Sequence, residues 1–315
     1  MLYKFNINDF VTHSGASYSE IPLSYEVFGK ELYTAPIVLV NHALTGNSNV
    51  AGEDGWWTDL VGENKVIDTL KYTVLAFNIP GNGYDGFIIE NYKDFIAKDV
   101  ARLFLLGLKH LKIEALFAII GGSLGGGIAW EMTALSPKIT QHLIPIASDW
   151  KSTDWLIANC QIQELFLLNS NNPVHDARMH AMLCYRTPRS FKERFNRSIN
   201  EELNVFNVES WLLHHGSKLQ ERFQLSSYKL MNQLLRTIDA SNENSENALE
   251  NISADIHLIG VDSDLFFTAE ENKETQQRLG LTHPNITYNE INSVHGHDAF
   301  LIEFEQLEKI IEDLF

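Results

Sequence analysis

The residue pattern best suited to chemistry is a serine between two glycines. Gly121, Ser123 and Gly125 form a G-x-S-x-G pattern, which directly follows an apolar run at 116–120 and directly precedes a run of helical character at 128–135. A strand that turns sharply into a helix at such a pattern is typical of a nucleophile elbow, because the glycines remove side chains that would collide and the serine hydroxyl stands clear of the sheet. The pattern therefore predicts that Ser123 is a nucleophile.

A serine nucleophile needs a base, and the base needs an acid that orients it. On a strand–helix scaffold of this kind, the chain order is serine, acid, histidine. Asp262 and Asp264 follow the last strongly apolar run, and His295 and His297 follow the weaker run after it. This order predicts one acid and one histidine from these two loops, but spacing alone does not choose within either pair.

A serine that attacks an acyl group also needs two backbone N–H groups to stabilise the oxyanion. One is expected from Leu124, the residue after the nucleophile, and the other from the loop after an early strand. That loop is residues 41–46, whose small residues and glycine allow the backbone to approach a substrate oxygen. We interpret His42 in this loop as a packing or hydrogen-bonding residue.

Short apolar runs rich in β-branched residues indicate the strands that position these loops. Unbroken apolar runs are typical of strands covered on both faces, as in a parallel sheet. Segments of helical periodicity lie between them, including 92–111 and the C-terminal 299–315. This alternation predicts an α/β fold with a mostly parallel, doubly wound sheet. The predicted strands are 37–40, 73–77, 116–120, 143–146, 256–261 and, more weakly, 286–288.

The strand–helix alternation stops between about Trp150 and Ile252. An insert between two strands of an open sheet would cover the carboxyl ends of the strands, where ligands bind. We therefore expect a core domain of residues 1–149 and 252–315 and a helical lid insertion of residues 150–251. Within the lid, helical patterns occur at 155–168, 173–185, 188–195 and 205–235, and a polar stretch closes it at 239–251.

The composition narrows the functional classes. The 315-residue chain has 24 Lys and Arg against 41 Asp and Glu, and the net charge of −17 argues against nucleic acid or an anionic membrane as a partner. No apolar run approaches the ~18 residues that span a bilayer, and no signal peptide is recognisable, so we expect a cytoplasmic protein. Cys160 and Cys184 are too few for a disulfide framework, and no metal ligands are assigned.

Longer motifs along most of the chain resemble those of the homoserine O-acetyltransferase family, whose members have an α/β-hydrolase fold. Residues 41–47 resemble its H-A-L-T-G loop, and 55–72 its G-W-W…G…K-x-I-D-T…Y segment. Residues 121–126 resemble its G-G-S-M-G-G elbow, with Leu124 in place of methionine. In the lid, 177–195 resembles its A-R…Y-R-S…F-x-x-R-F block.

The resemblance also chooses between the paired candidates. Residues 260–266 resemble the family's S-D-x-L-F acid loop, which selects Asp264. Residues 296–301 resemble its G-H-D-x-F-L segment, which selects His297. The resemblance thus implies a catalytic triad of these two residues with Ser123.

The resemblance further implies substrates and the residues that contact them. The nucleophilic serine would take an acetyl group from acetyl-CoA, a co-substrate rather than a bound cofactor, and the backbone N–H groups of Leu44 and Leu124 would hold the oxyanion. The acetyl group would then pass to the hydroxyl of homoserine, in methionine biosynthesis. Arg178 and Tyr185 would bind the homoserine carboxylate and Asp298 its ammonium group, and these charge pairs are chemically well matched. The family also implies a homodimer formed through the lid.

One segment departs from the family pattern. Family members usually have a longer loop, resembling C-N-x-L-G-G-C-Y-G-S-T-G-P, where this chain has residues 78–86 without the serine-threonine-proline part. We expect this loop to border the acyl or CoA channel, so it bears on the acyl donor and on the choice between transfer and hydrolysis. The alternatives are a homoserine O-succinyltransferase, a serine O-acyltransferase, a carboxylesterase-type α/β hydrolase and a non-catalytic binding protein on the same fold.

Overall fold

The computed structural model describes residues 1–241 and 246–315, and an eight-stranded sheet forms its centre. In chain order the strands are β1 (Tyr3–Val11), β2 (Ser17–Gly29), β3 (Ile37–Asn41), β4 (Val61–Gly62), β5 (Ile67–Asp68), β6 (Thr73–Phe77), β7 (Leu116–Gly122), β8 (Thr140–Ile146), β9 (Ile199–Asn200), β10 (Val205–Phe206), β11 (Asp255–Val261) and β12 (Ile286–Ile291).

The order of strands across the main sheet is β1-β2-β6-β3-β7-β8-β11-β12. Every neighbouring pair from β6 to β12 is parallel, and β1 and β2 are antiparallel. The remaining strands form two small ladders, β4 with β5 and β9 with β10. The predicted α/β class and the mostly parallel sheet are therefore confirmed, and each of the six predicted strands is present.

The hairpin of β1 and β2 at the edge of the sheet is not among the strands predicted from the sequence. Its inward side chains pair across the strands, as Ile7 does with Ile21 and Phe5 with Leu23. Because one face of this hairpin is largely exposed, its sequence alternates apolar with polar residues. Unbroken apolar runs therefore mark the inner strands of the sheet but not this edge hairpin.

The helices lie between and beside these strands. They are α1 (Ala97–His110), α2 (Leu124–Leu135), α3 (Asp154–Asn169), α4 (Pro173–Tyr185), α5 (Pro188–Phe195), α6 (Asn207–Arg222), α7 (Leu225–Arg236), α8 (Ala269–Leu279) and α9 (Phe304–Ile311), with 3-10 turns at Tyr92–Asp94, Glu246–Asn251, Gly296–Leu301 and Glu312–Leu314. Among the described residues, none of the helices is both long and apolar enough to cross a membrane.

The segment predicted as one helix at 92–111 is divided into a 3-10 turn and α1. The buried carboxylate of Asp99 accepts the backbone N–H of Ile96 at 3.1 Å and that of His13 at 2.9 Å. The first bond caps the helix and the second ties it to the end of β1, so α1 begins at Ala97. The C-terminal segment 299–315 is divided in the same way, into α9 and a 3-10 turn on each side.

Helices α3 to α7 occupy the segment between β8 and β11, where the sequence predicts the lid. The predicted region 205–235 begins with β10 and contains two helices, α6 and α7, separated at residues 223–224. Of the polar stretch at 239–251, residues 242–245 lie outside the described residues. The division into a core and a lid at residues 150 and 251 stays a prediction.

The hydrophobic core covers both faces of the inner strands. In β3, Leu39 packs on the side of α1 and α2, whereas Val38 and Val40 pack on the side of α9, with Leu307 and Ile311. All five residues of β3 and all five of β6 are buried. This double coverage is why the inner strands have unbroken apolar sequences.

Glu131 of α2 lies where the chain returns from the helical insert to the core. Its side chain is fully buried, and its Oε1 accepts the backbone N–H of Asp239 at 2.9 Å. Among the described residues its Oε2 has no partner. Burial raises the pKa of Glu131 to about 8, so the folded protein keeps this carboxyl largely protonated at neutral pH.

We expect Glu131 to make the protein less stable as the pH rises. Because its folded-state pKa lies above its ordinary value of 4.5, its contribution to the free energy of unfolding is complete below that value and is lost as the pH rises towards 8. The loss should reach at most about 1.4 kcal/mol per pH unit. Glu131→Gln keeps a carbonyl acceptor for the Asp239 N–H without the charge, so it should be more stable than wild type at pH 8, as measured by urea unfolding.

The matched control is Glu308→Gln, on the exposed side of α9, which should keep the wild-type dependence on pH. Asp149 contributes a slope of the same sign in every variant, because burial raises its pKa to about 7. An unchanged slope in Glu131→Gln would contradict the prediction.

Candidate active site

Ser123 lies on the turn between β7 and α2, as the sequence predicts. Its backbone has φ 55° and ψ −125°, a combination that residues other than glycine rarely adopt. A Cβ added to Gly125 would lie 2.3 Å from the carbonyl oxygen of Asn41, and one added to Gly121 would lie 2.6 Å from the backbone of Gly125. The close approach of these backbone segments therefore requires both glycines.

Ser123, His297 and Asp264 form one hydrogen-bonded chain. His297 Nε2 lies 2.8 Å from Ser123 Oγ, and His297 Nδ1 lies 2.8 Å from Asp264 Oδ2. The other carboxylate oxygen of Asp264 accepts the backbone N–H groups of Phe266 at 2.7 Å and Phe267 at 3.0 Å. These bonds fix the direction of the acid, which in turn orients the imidazole. The arrangement is that of a nucleophile, its base and an orienting acid.

The other member of each candidate pair makes structural contacts instead. Asp262 accepts the backbone N–H of Ser293 at 2.9 Å, which joins the acid loop to the histidine loop. His295 Nδ1 lies 3.2 Å from Ser190 Oγ and 3.2 Å from Arg186 Nη1, both on the helical insert. The geometry thus favours Asp264 and His297, the residues that the resemblance selects.

Aromatic rings enclose the imidazole of His297, which is only 3% exposed. The ring centroids of Phe266, Tyr185, Phe300 and Phe267 lie 5.1, 5.4, 5.7 and 5.8 Å from that of His297. Water has little access to the base in this enclosure, and electrostatic interactions are stronger there than in bulk solvent.

The two backbone N–H groups predicted for the oxyanion hole make no hydrogen bond within the described part of the chain. Leu124 is the first residue of α2, where an N–H has no intrahelical partner and the helix dipole favours negative charge. Leu44 lies in a turn that the Gly46 N–H closes by donating to Ala43 O at 2.9 Å, which leaves the Leu44 N–H unbonded. Neither group is used by the fold in the described part of the chain, and their role as oxyanion donors stays a prediction.

Of the predicted substrate-binding residues, Tyr185 lies next to the base and Arg178 lies near Tyr185. The Arg178 guanidinium is 5.7 Å from the ring centroid of Tyr185, whose ring packs against His297. Burial holds the pKa of Tyr185 well above its ordinary value, so its hydroxyl stays neutral and can donate a hydrogen bond. A guanidinium beside a hydroxyl donor suits a carboxylate ligand.

The third predicted substrate-binding residue, Asp298, already has a partner. Arg186 Nε donates to Asp298 Oδ2 at 2.8 Å, and these side chains are only 15% and 17% exposed. An ammonium ligand would therefore share the carboxylate with Arg186, through its other oxygen. Sequence reasoning included Arg186 in the lid motif but assigned it no role, because a contact across 112 residues leaves no local signal.

Basic side chains gather where α6 meets the oxyanion loop. Arg222 Nη1 donates to the carbonyl oxygen of Thr45 at 3.0 Å. Burial and the charge of Arg178 lower the pKa of the Arg222 guanidinium, and burial together with nearby cations lowers the pKa of His215 to about 4. In a chain of net charge −17, this local positive potential favours an anionic ligand beside the oxyanion loop.

Comparisons with known proteins agree with this architecture. Residues 36–203 match the family model for the alpha/beta hydrolase fold. The homoserine O-acetyltransferase of Methanococcus vannielii is 32% identical over 97% of this chain and 70% of its own length. That of Cyclobacterium marinum is 32% identical over 96% of this chain and 91% of its own.

Solved structures agree as well. The homoserine O-acetyltransferase from Staphylococcus aureus has a TM-score of 0.85 at 24% identity, over 99% of this chain and 94% of that one. Esterase E22 has a TM-score of 0.87 at 18% identity, over 100% of both chains. At these identities the likeness concerns the fold alone.

The strand order, the nucleophile elbow and the family match define an α/β-hydrolase-fold protein. Within this class, relatives more than 30% identical over nearly the whole chain share one name. The chain belongs to the homoserine O-acetyltransferase family.

Asp262 and Asp264 lie in the same loop after β11, so they allow a matched test of the triad. We expect Asp264→Asn to lower kcat by about 10³–10⁴-fold, because an amide that donates to Nδ1 leaves His297 Nε2 protonated and unable to take the serine proton. Asp262→Asn keeps an acceptor for the Ser293 N–H, so it should have nearly wild-type activity. Release of p-nitrophenol from p-nitrophenyl acetate measures both. Equal losses in the two variants would contradict the assignment of Asp264.

Proposed function

We propose that this protein transfers an acetyl group from acetyl-CoA to the hydroxyl of homoserine, in methionine biosynthesis. One observation carries the proposal: the hydrogen-bonded chain of Ser123, His297 and Asp264 lies beside Arg178 and Tyr185 in a member of this family. A hydrolase needs only the first three residues. An amino-acid acceptor also needs groups that recognise its charge, and the arginine–tyrosine pair supplies them.

In the first half-reaction, Ser123 Oγ attacks the thioester carbon of acetyl-CoA while His297 Nε2 takes the hydroxyl proton. Negative charge develops on the thioester oxygen, and the N–H groups of Leu44 and Leu124 stabilise it. When the C–S bond breaks, the proton on His297 passes to sulfur. Free CoA thiol leaves, and an acetyl ester remains on Ser123. Asp264 stabilises the imidazolium between these steps.

In the second half-reaction, the homoserine hydroxyl attacks the acetyl carbon. His297 takes the hydroxyl proton and returns it to Ser123 Oγ as the ester bond to the enzyme breaks. Arg178 and Tyr185 bind the homoserine carboxylate, and Asp298 binds the ammonium group through the oxygen that its ion pair leaves free. Transfer to homoserine is favoured over hydrolysis because the aromatic rings around His297 limit the access of water to the base.

A succinyl donor is the second candidate, and Arg222 favours it. The second carboxylate of a succinyl group needs a cation near the acyl pocket. Arg222 donates to Thr45 O, one residue from the Leu44 N–H, and its other N–H groups have no partner within the described residues. A guanidinium at this position could bind that carboxylate.

The lid is proposed to consist of residues 150–251 and to form a homodimer interface. The outer surface of α3 exposes an apolar stripe of Trp155, Ile162, Leu165 and Leu168, which are between 44% and 55% exposed. The last three are spaced three residues apart, so they lie on one side of the helix, as in a surface that packs on another helix. The cytoplasmic location expected from the sequence stays a prediction.

Substrate use is tested with purified protein, acetyl-CoA or succinyl-CoA, and homoserine or serine. We expect thiol release that depends on homoserine, with O-acetylhomoserine identified by its mass. Arg178→Gln should raise KM for homoserine by about 10–100-fold, because it removes a charge-assisted hydrogen bond. It should leave acetylation of Ser123 by p-nitrophenyl acetate near the wild-type rate.

The matched control is Arg189→Gln, an exposed arginine of α5 that pairs with Glu193, which should change neither quantity. Thiol release without homoserine would contradict the transferase proposal and favour a hydrolase. Faster turnover with succinyl-CoA, lost in Arg222→Gln, would replace the acetyl donor by a succinyl donor.

The double variant Leu165→Glu, Leu168→Glu should convert the dimer to a monomer, because it places charges in the apolar stripe. Size-exclusion chromatography with light scattering measures the mass. Leu106→Glu, on an exposed position of α1, is the matched control and should stay dimeric. A monomeric wild-type protein would refute the lid dimer.

A further inference from the structure

His42 is a buried histidine that the proposed reaction does not use. It follows β3 and precedes the turn that contains Leu44, and only 1% of it is exposed. Its two ring nitrogens both make hydrogen bonds, one to its own loop and one to the loop after β6. A histidine that joins these two loops can control the shape of the oxyanion turn.

The contacts of His42 define its tautomer. The backbone N–H of Ile79 lies 3.0 Å from His42 Nε2 and can only donate, so Nε2 is the acceptor and has no proton. The proton therefore belongs to Nδ1, which donates to the carbonyl oxygen of Ala43 at 2.8 Å. Burial lowers the pKa of His42 to about 4, so the ring stays neutral at physiological pH.

The bond to Ala43 O determines where the Leu44 N–H points. The same oxygen also accepts the Gly46 N–H at 2.9 Å, so two donors hold it in place. The carbonyl of Ala43 and the N–H of Leu44 belong to one planar trans peptide and point in opposite directions. Fixing the carbonyl thus fixes the direction of the N–H.

The far side of His42 is anchored in a buried polar cluster. Asn78 Oδ1 accepts the backbone N–H of Ser48 at 2.8 Å, and Asn78 Nδ2 donates to Ser24 Oγ at 3.0 Å and to Ser48 Oγ at 2.9 Å. Each of these residues is at most 1% exposed. Ile79 follows Asn78 directly, so the N–H that holds His42 is itself rigidly placed.

We propose that His42 is a positioning residue that holds the peptide between Ala43 and Leu44 so that the Leu44 N–H faces the oxyanion. The inference rests on the proposed role of Leu44 in stabilising the oxyanion. His42 touches neither substrate nor nucleophile in this role. It acts through one carbonyl oxygen.

Two substitutions of His42 each keep one of the two hydrogen bonds that its ring makes. In His42→Asn, the side-chain amide nitrogen takes the position of Nδ1 and can still donate to Ala43 O. In His42→Gln, the amide oxygen reaches the position of Nε2 and can still accept from Ile79, but the side chain no longer donates to Ala43 O, which keeps only the Gly46 N–H. We expect His42→Gln to slow acetylation of Ser123 by p-nitrophenyl acetate by about 10²-fold, the scale of losing one oxyanion donor. His42→Asn should retain most of the rate.

A second readout separates positioning from a merely structural role. A trifluoromethyl ketone forms a tetrahedral adduct with the serine and places its oxyanion in the hole. Its affinity should fall in His42→Gln in parallel with the rate, while the dissociation constant of homoserine stays within about twofold of wild type, because homoserine binding does not use the hole. His283→Asn is the matched control, since His283 is also buried and contacts a backbone carbonyl, that of Ile252, at 2.8 Å.

Equal losses in His42→Asn and His42→Gln, or an unchanged rate in His42→Gln, would overturn the inference. An equal loss of acetylation rate in His283→Asn would also overturn the inference, because it would show that the loss reflects a lower fraction of folded protein. The ester and the ketone need neither CoA nor homoserine. A wild-type protein that fails to acetylate homoserine would therefore refute the proposed function without deciding the role of His42.

Discussion

The site depends on one close contact, between the end of β3 and the first turn of α2. The carbonyl oxygen of Asn41 occupies the space that a side chain at Gly125 would need, and Asn41 Nδ2 donates to Gly125 O at 3.3 Å. This contact permits the turn that holds Ser123 at φ 55°. It also sets the separation between Leu44 and Leu124, because one follows β3 and the other begins α2. The positions of Ser123 and of both predicted oxyanion donors therefore depend on the same contact.

The helical insert both packs over the base, His297, and helps to hold it in place. The chain that leaves α4 packs on the histidine loop: Thr187 Oγ1 donates to Val294 O at 2.5 Å, and a Cβ added to Gly296 would lie 2.9 Å from Tyr185 O. Gly296 has φ +65°, which a residue with a side chain would adopt only with strain. His297 follows directly, so its direction depends on this packing. A movement of the insert would therefore affect both the proposed acceptor site and the alignment of the base.

The sequence predicted what local patterns determine. Unbroken apolar runs identified the inner strands, and the G-x-S-x-G pattern identified the elbow, because both depend on neighbours in the chain. The choice of Asp264 over Asp262 needed the family resemblance, since both follow β11 and only the fold shows which of them reaches His297. The pairing of Asp298 with Arg186 could not be predicted at all, because nothing local marks a partner 112 residues away.

The loop that departs from the family pattern has two parts with different consequences. Its start, Asn78 and Ile79, belongs to the buried cluster that supports His42, so the shortening leaves the oxyanion turn anchored. Its glycine-rich part packs on α7, where a Cβ added to Gly81 would lie 2.6 Å from Leu230 and one added to Gly83 would lie 3.0 Å from Ser227 Oγ. This part meets the insert directly, and its position beside the acyl or CoA channel stays a prediction. The departure from the family pattern therefore does not disturb the contacts that anchor His42, and its predicted effect is confined to the choice of acyl group.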